Sequence, residues 1–68
     1  MSETVKNHLR QAVLLDQLMV VRAVQKNFGD KRAMSLLYKL EKATLELILL
    51  NRQIMALTKE YEQKWLQR

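Results

Sequence analysis

The second half of this chain carries a long apolar heptad pattern that nothing interrupts. Between residues 36 and 61 an apolar residue recurs at alternating intervals of four and three, and the stretch holds neither glycine nor proline. The eight positions are Leu36, Leu40, Ala43, Leu47, Leu50, Ile54, Leu57 and Tyr61. This spacing predicts a helix with one apolar stripe along its side, which is typical of helix-on-helix packing. We therefore expect an all-α protein.

The turn that would let a second helix pack against this one is predicted at Gly29. It is the only glycine, it lies within "KNFGDKR", and the chain has no proline. Glycine suits the left-handed position that closes a helix, and Asp30 can cap the next helix, as Ser2 can cap the first. The prediction is a two-helix antiparallel hairpin in a single domain over residues 1–68, with helices over about 3–27 and 31–66. The alternative is one continuous helix, in which a lone glycine costs about 1 kcal/mol.

Helix 1 is the first candidate to cover the stripe. Folding back at the turn would place Val21 near Leu40 and Leu14 near Leu47, but the same side of helix 1 continues to Gln11 and Asn7. The predicted contact is therefore apolar near the turn and poorly matched at the open end.

Both helices carry more apolar surface than a hairpin can cover. Ten of the thirteen residues from Ala12 to Val24 are apolar, and the longer second helix is expected to overhang the first by about its last dozen residues. A surface helix needs only one apolar stripe, so we expect a protein partner to complete the hairpin into a helical bundle, in a hetero-complex in preference to a homo-oligomer. The predicted partner interface consists of Val13, Val20, Ile48, Met55, Tyr61 and Trp65.

The formal net charge of +5 indicates a second kind of partner. Basic residues concentrate near the turn, and Arg22, Lys26, Lys31 and Arg32 are the candidate contacts to an anion or nucleic acid. No basic stripe interleaved with aromatic residues is evident, however, and residues such as Lys42 and Glu46 are spaced to pair along a helix. We therefore expect a protein partner in preference to nucleic acid.

Other functions are excluded or disfavoured by composition. With no cysteine and a single histidine, His8, the chain offers no disulfide and no pattern of metal ligands, and no motif for a cofactor or a catalytic site is present. We expect a protein that is not an enzyme and binds no metal or cofactor. The apolar runs fall far short of the roughly 20 residues that cross a bilayer, and the first residues do not resemble a secretory signal. We expect a cytoplasmic protein without membrane insertion.

A short, cysteine-free chain with a helix, an "FGDKR" turn and a longer second helix with apolar surface to spare resembles the small co-chaperones of type III secretion systems. The resemblance implies a helical hairpin that pairs with a larger helical chaperone to shield the needle subunit. The prediction is a chaperone or adaptor subunit that covers apolar helices of a partner. Two alternatives stay open: a homodimeric four-helix-bundle regulator that binds nucleic acid through its basic tip, and a coiled-coil structural subunit of phage type.

Overall fold

A computed structural model describes residues 2–66, and the side-chain surroundings of residues 2–64. Helix α1 spans Glu3–Asn27 and helix α2 spans Lys31–Leu66. The two helices pack against each other along a rod of 58 × 17 × 13 Å. The predicted all-α hairpin is confirmed.

The helix starts have the predicted caps, but the turn has a different conformation. The Ser2 hydroxyl accepts a hydrogen bond from the Val5 backbone N–H at 3.2 Å, and the Asp30 carboxylate accepts one from the Arg32 N–H at 3.0 Å. The left-handed glycine expected at Gly29 is wrong, because no described residue has a positive φ. Instead Phe28 ends α1 in an extended conformation, with φ −105° and ψ 128°, and the chain reverses direction over residues 28–30.

Neighbouring substitutions in the turn are expected to have opposite effects on stability. Gly29 has a negative φ, and no atom lies within 4 Å of the position that a Cβ would occupy. Gly29→Ala should therefore raise the free energy of unfolding by about 0.4–1 kcal/mol, because alanine restricts the unfolded chain. Asp30→Ala removes a cap and should lower it by about 0.5–2 kcal/mol. Thermal unfolding at one fixed protein concentration measures both, and a destabilising Gly29→Ala would contradict this description of the turn.

The line along which the helices touch is not the predicted stripe. The buried apolar residues are Leu18, Val21 and Ile48, whereas the seven large side chains of the stripe are 43–67% exposed. The predicted pairing of Val21 with Leu40 is therefore wrong. On α2 the contact runs one residue later, through Leu37, Glu41, Thr44, Ile48, Asn51, Met55 and Thr58, all buried or partly buried.

The predicted overhang of α2 is also wrong. The Thr4 hydroxyl donates to the Glu62 carboxylate, and Asn7 Nδ2 donates to Thr58 Oγ1 at 3.0 Å. Helix α1 therefore reaches α2 as far as Glu62. Tyr61 lies within the paired part of the hairpin, and its side chain is turned outward.

Polar side chains that hydrogen-bond across the hairpin fill much of this contact. Asn51, only 2% exposed, donates to the Asn7 backbone carbonyl at 3.1 Å and to Gln11 Oε1 at 2.8 Å. Arg10 donates to Asn51 Oδ1 at 3.2 Å. Closer to the turn, Gln17 Nε2 donates to the buried Thr44 hydroxyl at 2.9 Å. Among the described residues no buried side-chain polar atom is left without a partner.

Asn51→Ala should lower the free energy of unfolding by about 1–3 kcal/mol, because it leaves the Asn7 backbone carbonyl and the Gln11 side chain without their donor beside the hole it creates. The matched control is Gln53→Ala, which removes an exposed amide from the same helix and should change stability by less than about 0.5 kcal/mol. Chemical denaturation followed by circular dichroism measures the difference. Equal effects at the two positions would show that the Asn51 network does not hold the helices together.

Two properties of the described residues bear on function. Neither described helix is long and apolar enough to cross a membrane. No group of three or more histidine, aspartate or glutamate side chains within that part of the chain is placed to hold a metal ion.

Candidate nucleic-acid interface

The hairpin has two distinct broad faces. On each helix, the residues that touch the other helix form the contact line. In an antiparallel pair, the residues that directly precede contact residues in sequence lie on the same broad side of both helices, and the residues that directly follow them lie on the other side. Each exposed heptad residue of α2 comes one position before a contact residue in sequence, and so do Val13 and Val20 of α1. We call the surface formed by these two valines and the eight heptad residues the apolar face, and the other side the opposite face.

The turn end of the molecule is strongly basic. Residues 20–42 hold six basic and two acidic side chains, whereas the rest of the chain holds six basic and five acidic ones. We call this set the basic end: Arg22, Lys26, Lys31, Arg32, Lys39 and Lys42. All six are exposed. Within the described side chains the ion pair is Lys6–Glu3, at the far end, so the pair expected between Lys42 and Glu46 does not form.

Lys31 and Arg32 lie where a helix disfavours positive charge. They occupy the first turn of α2, which contains no acidic residue. The N-terminal end of a helix carries a partial positive charge, so each cation there is unfavourable, commonly by about 0.3–1 kcal/mol. The Asp30 cap offsets part of this cost. The same helix end, with its free backbone N–H groups, favours a bound anion.

A shallow groove of about 490 Å³ runs along the first turns of α2 within the basic end. Lys31, Lys39 and Lys42 line it together with Ser35 and Tyr38, and Tyr38 is 69% exposed. The sequence interpretation that basic and aromatic residues are not interleaved is therefore wrong at this place. The sequence pattern that could have predicted this groove is the 31-35-38-42 spacing, which puts lysines and a tyrosine on one side of a helix.

The residues predicted to bind a protein partner fall into three groups. Val13, Val20 and Tyr61 are 61–66% exposed on the apolar face. Ile48 is only 6% exposed and Met55 is partly buried, so α1 covers both of them. The Trp65 side chain lies outside the described residues.

Another cleft lies at the open end of the hairpin. It is lined by His8, Lys59 and Glu62 among others, and the Glu62 carboxylate is engaged by the Thr4 hydroxyl. The basic end is therefore the part of the described surface with the clearest ligand preference, which is for an anion.

The comparison with protein families agrees with this preference. A family model described as "MobC-like protein" matches residues 9–66, which is most of the chain. The chain belongs to the MobC-like family. No curated protein and no solved structure matches it. The matched range contains most of α1, all of α2 and the whole basic end of this MobC-like protein.

Membership of this family corrects two interpretations. The resemblance to type III secretion co-chaperones is wrong, and with it the predicted role as a chaperone of an export substrate. The resemblance depended on architecture and on a glycine-aspartate turn, and unrelated two-helix chains share both features. The expectation that nucleic acid is an unlikely partner is not supported by this family either.

Proposed function

We propose that this MobC-like protein is a non-enzymatic DNA-binding accessory protein of plasmid mobilisation, acting in the cytoplasm. The basic end contacts the phosphate backbone of DNA. The family match supports the process and the ligand. The observation that carries the choice of surface is the concentration of six exposed cations, none of them in an ion pair among the described side chains, around the turn.

The contacts follow from the placement of these cations. Lys31 and Arg32 flank the start of α2, where free backbone N–H groups add to the attraction for a phosphate. Arg22 and Lys26 come from the last turns of α1 and extend the positive surface across the hairpin. A phosphate bound there relieves the repulsion among these cations. The repulsion that destabilises the free protein therefore favours binding of the phosphate.

The groove offers a further contact next to the phosphates. Its exposed tyrosine ring can stack on an unpaired base, and Lys39 and Lys42 on either side of Tyr38 can hold the adjoining backbone. Neither phosphate contacts nor stacking read base edges, so binding through this end is expected to depend weakly on sequence.

Salt dependence of DNA binding tests the proposal. If four to six cations neutralise phosphates of a duplex, the plot of log K against log salt should have a slope of about −3.6 to −5.4. Lys31→Ala and Arg32→Ala should each reduce the magnitude of this slope by about 0.9. Fluorescence anisotropy with a labelled duplex over a range of salt concentrations measures both.

The matched control variants are Arg52→Ala and Lys59→Ala, which remove the same charge from exposed positions outside the basic end. They should leave the slope nearly unchanged. Absence of binding to duplex and single-stranded DNA at low salt would contradict the proposal. Equal slope changes for all four variants would show attraction by net charge without a localised site.

A further inference from the structure

The apolar face is the largest feature that DNA binding through the basic end leaves unexplained. Five of its large aliphatic residues, Leu36, Leu40, Leu47, Leu50 and Leu57, are 43–67% exposed. No charged residue interrupts the heptad positions of α2. A folded monomer rarely leaves a contiguous stripe of this kind in water.

The exposed area indicates how much surface a partner must cover. The hairpin has an accessible surface of 5911 Å². A compact monomer of this mass would expose about 4,500 Å², so the excess is about 1,400 Å². Obligate homodimers bury about 1,000–2,500 Å² on each chain. The excess is therefore what one copy of this chain would bury in a stable dimer.

We propose that the apolar face binds a second copy of this chain, in an antiparallel four-helix bundle with a twofold axis across the middle of α2. The heptad is self-complementary in that orientation. When Leu47 lies against Leu50 of the second copy, Leu40 meets Leu57 and Leu36 meets Tyr61, so every layer joins an a position to a d position. No apolar residue of the heptad is left without a counterpart.

The other helix and the charges fit the same register. The cross-helix bonds from Asn51 to Gln11 and from Gln17 to Thr44 set Val13 at about the level of the middle of the heptad, so two copies of Val13 approach each other near the axis. A parallel dimer would place two basic ends side by side. The antiparallel dimer instead places each basic end beside the open end of the other copy, which is nearly neutral, since the residues outside the basic end hold six basic and five acidic side chains. This difference in repulsion selects the antiparallel arrangement.

The molar mass without DNA is the first test, and it is independent of the proposed function. Sedimentation equilibrium of the full chain should give twice the 8.1 kDa of one chain. Leu47→Glu buries a charge beside the axis and should weaken the dimer by at least about 100-fold. Leu49→Glu, on the opposite face, is the matched control and should leave the dimer intact. A monomer at all concentrations, or a dimer lost only in Leu49→Glu, would overturn the proposal.

Cysteine cross-linking tests the register and does not depend on a folded monomer. The chain has no cysteine, so each introduced thiol is unique. Leu36→Cys mixed with Tyr61→Cys should give the mixed disulfide under mild oxidation, identified by mass spectrometry, in at least about tenfold excess over either self-linked product. Predominant self-linking of Leu36→Cys would overturn the antiparallel register.

Discussion

Ile48→Ala is expected to unfold a large fraction of the protein. Ile48 is one of three buried apolar side chains among the described residues, so few neighbours can close the hole. Truncation of such a side chain costs about 2–5 kcal/mol. The whole free energy of unfolding of a small domain is only about 5–15 kcal/mol, and a two-helix chain belongs at the low end. Urea denaturation followed by circular dichroism should show a clear fall in the midpoint.

Leu49→Ala is the matched control for this prediction. Leu49 is the next residue on the same helix, but it is 57% exposed and faces away from both the contact line and the apolar face. Its truncation should cost less than about 1 kcal/mol. If the two variants lost stability equally, the contact line between the helices would be wrongly placed by one residue.

Local signals in the sequence predicted the helices well. The caps at Ser2 and Asp30 form because a short polar side chain can accept a hydrogen bond from the first turn of the helix that follows it. These interactions involve residues two or three apart in sequence. The pattern that predicts them is therefore complete without knowledge of the rest of the fold.

The packing of the helices was wrongly predicted because two heptad lines run side by side on α2. The more apolar line, through Leu47 and Leu50, was assigned to the hairpin, and the polar residues of α1 then looked mismatched. Thr44 and Asn51 lie on the adjacent line and provide hydrogen-bond partners for those residues. Apolar periodicity identifies a surface that will be covered, but it does not identify what covers it.

The candidate site was predicted in part. Charge counting along the chain located the cations around the turn, and the structure brings them together with no ion pair among the described side chains to neutralise them. The groove around Tyr38 was missed because its residues are spread over fourteen positions, from Gly29 to Lys42. They share a side only once the chain is wound into a helix.

The double variant Lys31→Glu, Arg32→Glu is expected to weaken DNA binding and to stabilise the free protein. It lowers the formal net charge from +5 to +1 and places two carboxylates where phosphates are proposed to bind. Affinity for a duplex at low salt should fall by at least about 100-fold, because two attractive contacts become repulsive. In the free protein the acids lie at the positive end of the α2 dipole, and the unfolding free energy should rise by about 0.5–2 kcal/mol. Anisotropy and thermal unfolding measure the two effects.

The control variant Arg52→Glu, Lys59→Glu makes the same change in net charge at exposed positions away from the turn. It should reduce the affinity far less, and it gains no dipole stabilisation because neither residue is near the start of a helix. A fall in affinity as large as that of the turn variant would show that net charge alone attracts DNA. If the turn variant instead loses DNA binding while its free energy of unfolding rises, Lys31 and Arg32 serve DNA binding and destabilise the free protein.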